Sequence, residues 1–161
     1  MADLQITQLT AYTTPISTDL FPIVDITNGV TKKITLAALG IILLVASDSQ
    51  TGKTASITST DFPTAYTPPA NGSLYRISYY MVVTTGNTAG TVTFNAIYTD
   101  VQGARTIPGA TTLNTTAAGN NAQGSLFFEA ETSAHIKYSA ILSGNVGTPT
   151  FNVYTMLERI K

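Results

Sequence analysis

The sequence predicts an all-β protein whose larger part is an antiparallel sandwich or barrel. Apolar and polar residues alternate along several segments of the second half, which is the period of a half-buried strand. Gly and Asn stand between these segments at the spacing of turns. Thr, a β-branched residue that favours pleated surfaces, occurs 29 times. No long segment has the 3.6-residue period of an amphipathic helix.

The first region, residues 1–40, is predicted to contain a small β-hairpin. Leu20–Ile26 and Val30–Leu36 are extended runs, and the Asn28-Gly29 pair between them is a strong hairpin signal. Pro22 favours an edge position. An earlier strand is predicted over Leu4–Leu9. Thr35 could cap a short helical turn over residues 36–39 that ends at Gly40.

Residues 41–54 are interpreted as an apolar segment followed by an exposed linker. The apolar run Leu36–Ala46 is shorter than the ~20 residues that a membrane-spanning helix needs, so no membrane insertion is expected. Two interpretations of the run remain open: a buried core segment, or an oligomer contact near a symmetry axis. Gly52-Lys53-Thr54 resembles the end of a phosphate-binding loop, but Ser47 replaces the required first Gly.

The third region, residues 55–161, is predicted to form the sandwich. Its strands are expected at 74–83, 91–98, 125–130, 134–142 and 150–160. The inward side chains of three of these strands are predicted to be Tyr75, Ile77, Tyr79, Met81 and Val83, then Val92, Phe94, Ala96 and Tyr98, then Ala134, Ile136, Tyr138, Ala140 and Leu142. His135, Lys137 and Ser139 are expected to face outward. Pro108–Gln123 is interpreted as a long exposed loop with at most one short strand, near residues 111–113.

Composition restricts the function. Only 11% of the 161 residues are charged, against ~25% in typical soluble domains, which suits a protein that is extracellular, particle-bound or largely buried in an assembly. The net charge of −1 provides no basic surface for nucleic acid. Cysteine is absent, which excludes disulfides and thiolate metal sites. The N-terminus lacks the pattern of a secretory signal.

Candidate chemistry is sparse. His135, the single histidine, is predicted to lie on the face away from the core, with no nucleophile and orienting carboxylate in evidence. Glu129 and Glu131 are interpreted as an ordinary solvated edge in preference to a weak surface calcium site. We therefore predict no catalytic, cofactor or metal site, and expect that the chain is not an enzyme.

The first region resembles an N-terminal module of tailed-bacteriophage virion proteins. The resemblance rests on Leu4-Gln5-Ile6-Thr7-Gln8-Leu9, on Asp19-Leu20-Phe21-Pro22-Ile23-Val24, on Gly29-Val30-Thr31-Lys32-Lys33-Ile34-Thr35 and on Leu36-Ala37-Ala38-Leu39. Modules of this kind occur in tail fibres, head fibres and decoration proteins. The resemblance implies an attachment or trimer-starting role for residues 1–40.

The second region is similar to jelly-roll domains of the tumour-necrosis-factor or complement-C1q type. The similarity rests on Leu74-Tyr75-Arg76-Ile77-Ser78-Tyr79-Tyr80, on the strand 91–98 and on the closing segment 151–160. It implies a jelly roll that assembles as a homotrimer with an aromatic-lined axis.

Together these resemblances imply a capsid decoration or short head-fibre protein, made in the host cytoplasm and located on the virion surface. Its expected partners are further copies of itself and the major capsid protein or another virion protein. The alternative is a tail receptor-binding module that contacts host carbohydrate through loops at Thr85–Gly90 or Pro108–Gln123. The candidate capsid or oligomer contacts are Leu4, Ile6, Leu9, Leu36, Leu39, Ile41, Ile42, Leu43, Leu44, Tyr138 and Tyr154.

Overall fold

The computed structural model describes residues 20–25, 30–35 and 42–160. By backbone contacts the chain divides into two compact units, Met1–Ile41 and Ile42–Lys161. The part of the chain that the structure describes contains no helix that could cross a membrane.

The first unit contains the predicted hairpin. Strand β1 (Leu20–Asp25) pairs antiparallel with β2 (Val30–Thr35). Within the described residues this sheet has two strands, so each is an edge there, and Pro22 can lack an N–H group without loss of an interior ladder bond. The expected strand over Leu4–Leu9, the turn at Asn28-Gly29 and the helical turn over residues 36–39 lie outside the described residues.

The second unit is a sandwich of two four-stranded antiparallel sheets, which confirms the predicted fold class. One sheet has the order β3-β10-β5-β8 and the other the order β4-β9-β6-β7. The strands are β3 (Leu43–Lys53), β4 (Ile57–Tyr66), β5 (Ser73–Thr85), β6 (Ala89–Asp100), β7 (Gly103–Asn114), β8 (Asn121–Ala130), β9 (Ile136–Val146) and β10 (Thr150–Arg159). Consecutive strands alternate between the sheets except at the β6–β7 hairpin, and this eight-stranded order is that of a jelly roll.

The core lies between the sheets and is rich in aromatic rings. The inward residues predicted for β5 are all buried, as are Val92, Phe94 and Ala96 of β6. Tyr79 stacks on Phe94 at a centroid distance of 4.3 Å, and Phe94 stacks on Tyr138 at 5.8 Å. Ser139 was expected to face solvent, but it is buried because Asn95 of the neighbouring strand covers it and donates to its hydroxyl at 3.1 Å.

Two segments that the sequence predicts to be irregular form strands. The proposed linker after residue 41 is largely β3, which pairs with β10 from Leu43 opposite Arg159 to Lys53 opposite Phe151. Gly52 and Lys53 therefore end a strand, and the next regular element is β4 rather than the helix of a phosphate-binding loop. The proposed long loop Pro108–Gln123 consists mainly of the end of β7 and the start of β8, with a short connection between them.

Candidate functional site: an exposed aromatic face

The outer face of the β3-β10-β5-β8 sheet carries the largest group of exposed apolar side chains on the described strands. They are Leu44, Tyr80, Phe127, Tyr154 and Met156, with exposed fractions from 39% for Tyr80 to 59% for Phe127. Four of them follow from strand periodicity, because their neighbours Tyr79, Phe128, Val153, Thr155 and Leu157 point into the core. Leu44 lies between the half-buried residues Leu43 and Val45. We call this surface the aromatic face.

Near its middle the aromatic face forms a shallow groove of about 540 Å³. Tyr154 lies directly opposite Tyr80, and their rings stack at a centroid distance of 6.2 Å. Met156 and Ser78 form the next outward-facing pair. The groove contains apolar and aromatic surface, hydroxyl groups and one carboxylate, that of Asp48. Its lining residues are Ser47, Asp48, Ser49, Pro63, Ser78, Tyr79, Tyr80, Tyr154, Thr155 and Met156.

One cross-strand row of the aromatic face contains an ion pair between two apolar ends. Glu158 lies opposite both Leu44 of β3 and Arg76 of β5, and Arg76 lies opposite Phe127 of β8. Arg76 Nε donates to Glu158 Oε2 at 2.7 Å. The row therefore runs Leu44, Glu158, Arg76, Phe127, and its two charges neutralise each other within one chain. A further carboxylate, Glu129, is exposed near the end of β8.

The outer face of the other sheet is mainly polar. Its outward residues are mostly Thr, Ser and Asn, among them Thr91, Thr93, Asn95, Thr106, Thr112 and Ser143, although Ile141 is also exposed there. Asp61 accepts from His135 Nδ1 at 3.2 Å and pairs with Lys137 Nζ at 3.5 Å. The two broad faces of the sandwich thus differ in polarity, and the aromatic face is the one suited to a protein contact.

The candidate contacts chosen from the sequence fall into three groups. Leu4, Ile6, Leu9, Leu36, Leu39 and Ile41 lie outside the described residues. Ile42, Leu44 and Tyr154 are exposed, and Leu43 is half-buried at the start of β3. Tyr138 is a core residue with 1% exposure, so it packs against its own chain and offers no surface to a partner.

Tyr138 has a structural role instead. Its hydroxyl donates to Asp48 Oδ2, which also accepts from Gln50 Nε2 at 2.9 Å. Burial and then this hydrogen bond to Asp48 raise the pKa of Tyr138 well above its ordinary value of 10.0. Burial and a hydrogen bond to Tyr75 raise the pKa of Tyr66 in the same way. Both phenols are held in the neutral form by the fold.

These raised pKa values predict a loss of stability in alkali. A phenol whose pKa is higher in the folded chain stabilises fully below pH 10.0, and this contribution disappears as the pH rises above that value, because only the unfolded chain then loses the proton. For Tyr138 the loss is about 1.4 kcal/mol per pH unit. Denaturant titrations between pH 8 and about 11 measure it. The Tyr138→Phe variant should show a shallower decline, and equal slopes in the two proteins would contradict the assignment.

The single histidine lies beside an aspartate of strand β4. His135 is exposed and contacts Asp61, not Glu129 or Glu131. Within the described ranges, no three His, Cys, Asp or Glu side chains come together as metal ligands.

The structure brings together parts of the two segments proposed as glycan contacts, Thr85–Gly90 and Pro108–Gln123. Both the 86–88 and 115–120 connections lie at the end of the sandwich opposite Ile42. Asn87 N donates to Thr115 O at 3.0 Å, and Gly119 N donates to Val83 O at 2.9 Å. The end of β9 lies beside the 86–88 connection, since Thr88 N donates at 3.0 Å to the carbonyl oxygen of Val146, the last residue of that strand. Neither connection carries a charged side chain.

Sequence reasoning missed Tyr80, Phe127 and Met156 as members of the face. The sequence contains a signal for two of them, because alternate residues of a strand face the same side. Tyr80 is an even-numbered position like the outward Arg76 and Ser78, and Met156 is two residues after Tyr154. Phe127 was harder to place, because Leu126, Phe127 and Phe128 are all apolar and do not alternate.

No protein-family model and no curated protein sequence matches the chain. Among solved structures, it is similar to a chain of the virus-like particle of the extra small virus of the giant freshwater prawn Macrobrachium rosenbergii, determined by cryo-electron microscopy. The similarity covers 71% of this chain and 80% of that chain, with 10% sequence identity and a TM-score of 0.24. At these values the likeness assigns neither family nor function.

Proposed function

We propose that the chain is a bacteriophage virion structural protein without enzymatic activity, a capsid decoration or short head-fibre protein that assembles as a homotrimer. Residues 1–40 would bind the major capsid protein or another virion protein. The sandwich would assemble through its aromatic face and project from the virion surface.

The observation that carries this proposal is the difference between the two faces of the sandwich. Exposed Tyr, Phe, Leu and Met side chains gather on one sheet, whereas the outward side chains of the other sheet are mostly Thr, Ser and Asn. Aromatic residues and Met are enriched at protein interfaces. Four strands of about ten residues cover roughly 650 Å², close to the ~800 Å² per partner of a standard interface.

The attachment role of the first unit rests on its resemblance to phage modules. The hairpin of β1 and β2 agrees in position with that resemblance, since Leu20–Val24 and Val30–Thr35 carry much of the shared pattern. Burial of apolar surface at ~25 cal/mol/Å² would supply the binding energy, and three copies in one assembly would present three attachment units at once.

The solution mass of the purified protein tests the assembly. Light scattering should give three times the chain mass of 17.0 kDa. Tyr154→Arg should shift the mass towards that of one chain, because it places a charge in the centre of the buried face. Thr112→Arg on the outer face of the other sheet is the matched control and should remain a trimer. A parent protein of 17.0 kDa would contradict self-association.

Attachment is tested separately. Particles that lack this protein should bind the purified chain, and co-sedimentation measures the bound fraction. Failure to bind particles, despite a trimeric mass, would contradict the decoration role and leave the assembly intact.

The alternative proposal, a tail module that contacts host carbohydrate, is favoured by one observation. The loops at 86–88 and 115–120 form a single hydrogen-bonded surface of amide and hydroxyl groups without charge. Such a surface suits uncharged sugars. Titration with neutral host-surface oligosaccharides should then perturb the amide resonances of these loops. Perturbation elsewhere, or none, would count against carbohydrate binding at this site.

A further inference from the structure

The row Leu44, Glu158, Arg76, Phe127 carries a large exposed apolar side chain at each end and an ion pair between them. Leu44 is 55% exposed and Phe127 is 59% exposed, and they stand at opposite edges of the same sheet. Each is a large apolar side chain that its own chain leaves mostly uncovered. The two charges between them are already paired at 2.7 Å.

This arrangement fits a head-to-tail contact, in which one edge of a copy meets the opposite edge of the next copy. Leu44 and Phe127 belong to one cross-strand row, so they lie at the same height along the strands. Rotation about an axis roughly parallel to the strands keeps that height and brings the β8 edge of one copy to the β3 edge of the next. When two different patches of identical chains meet in this way, the copies form a closed ring if the repeated rotation returns to the first copy.

Charge favours a second copy of this chain as the occupant. The row contributes one positive and one negative charge that cancel within the chain, so an identical row brings no net charge to the contact. A single kind of partner also covers both exposed ends, because every copy in a ring supplies one Leu44 and one Phe127. A foreign protein would need two separate complementary sites to do so.

We propose that Phe127 of one copy packs against Leu44 of the next in a closed ring of three. This inference rests on the trimer of the proposed function and names the contact that forms it. Arg76 and Glu158 remain paired with each other inside each copy, and the stacked Tyr80 and Tyr154 lie beside the contact on the inner side of the ring.

Cysteine cross-linking tests the contact directly, because the natural chain contains no cysteine. The double variant Leu44→Cys with Phe127→Cys should form covalent trimers on oxidation or with a short bismaleimide, seen on a non-reducing gel. Leu44→Cys alone should stay a single chain. Leu44→Cys with Thr112→Cys, which places the second thiol on the other sheet, is the matched control and should also stay a single chain.

A charge exchange provides a second test. Leu44→Asp and Phe127→Lys should each reduce the solution mass from trimer to monomer. The double variant should recover the trimer, because the carboxylate introduced in one copy would then face the ammonium group introduced in the next. A trimeric parent whose cysteine double variant does not cross-link, and whose charge exchange brings no recovery, would overturn this contact while leaving the proposed function in place. A monomeric parent would overturn both the contact and the proposed assembly.

Discussion

Replacing Tyr138 by alanine is expected to lower the free energy of unfolding by about 3–5 kcal/mol, the range found when a large aromatic core residue is removed. The ring lies between Phe62, at a centroid distance of 5.4 Å, and Phe94, at 5.8 Å. It joins side chains of β4 and β6 at the centre of the core. A loss of this size is a large part of the ~5–15 kcal/mol that stabilises a typical domain.

The Tyr138→Phe variant separates the hydroxyl from the ring. It keeps both ring contacts but removes a donor to Asp48, so we expect a smaller loss of about 1–2 kcal/mol. Chemical denaturation of both variants measures the two contributions. A Phe variant as unstable as the Ala variant would show that the hydrogen bond stabilises the fold more than the ring packing does. The Phe variant also keeps the test usable if the Ala variant does not fold.

Adding a methyl group at Gly109 or Gly124 is expected to destabilise the sandwich by about 1–3 kcal/mol, since the methyl would overpack the space beside Tyr79. A Cβ at Gly124 would lie 2.7 Å from the Tyr79 hydroxyl and 2.9 Å from the ring carbon that bears it. A Cβ at Gly109 would meet the same two atoms. Tyr79 cannot easily move, because its ring is stacked on Phe94.

Tyr79→Phe provides the control for this packing. In that background Gly124→Ala should cost less, because the nearest obstructing atom, the hydroxyl oxygen, is gone, while the ring carbon at 2.9 Å remains. Unfolding of the parent, the two single variants and the double variant, by heat or denaturant, forms a double-mutant cycle. Strict additivity would mean that the hydroxyl does not obstruct the methyl group, and that the ring carbons or the backbone conformation set the cost.

The same contact explains why β7 and the start of β8 were not predicted. A strand is visible in a sequence when its inward positions are apolar. Here Tyr79 of β5 reaches between the two edges and fills the space that side chains at 109 and 124 would otherwise occupy. Its hydroxyl bonds Thr111 Oγ1 at 3.1 Å, and that threonine donates to Gln123 O at 2.9 Å. Because the inward positions 109 and 124 are glycine, the apolar alternation that indicates a strand is missing from β7 and the start of β8. The sequence there therefore resembles a loop.

β3 was missed for the opposite reason. Its inward side includes Asp48, a carboxylate that the sequence alone places in solvent. Only the structure shows that Tyr138, ninety residues later, supplies the buried partner that makes this position acceptable. By contrast, every inward position of β5 from Tyr75 to Val83 is apolar, and this strand was predicted nearly to its ends. The aromatic face was partly predictable, because Leu44 and Tyr154 were among the candidate contacts. Its extent depends on which strands are neighbours in the sheet, and no local sequence pattern predicts that order.

The order of the strands also affects how the chain can fold. Among the described strands β3 pairs only with β10, and this ladder joins residues 43–53 to residues 151–159. Pairing between such distant segments slows folding, because a long loop must close before the contact is gained. During synthesis the ribosome would release β3 long before its partner. Until residue 159 emerges, the apolar Leu43–Ala46 segment has no ladder, and this nascent chain is the form most exposed to aggregation and to chaperone binding.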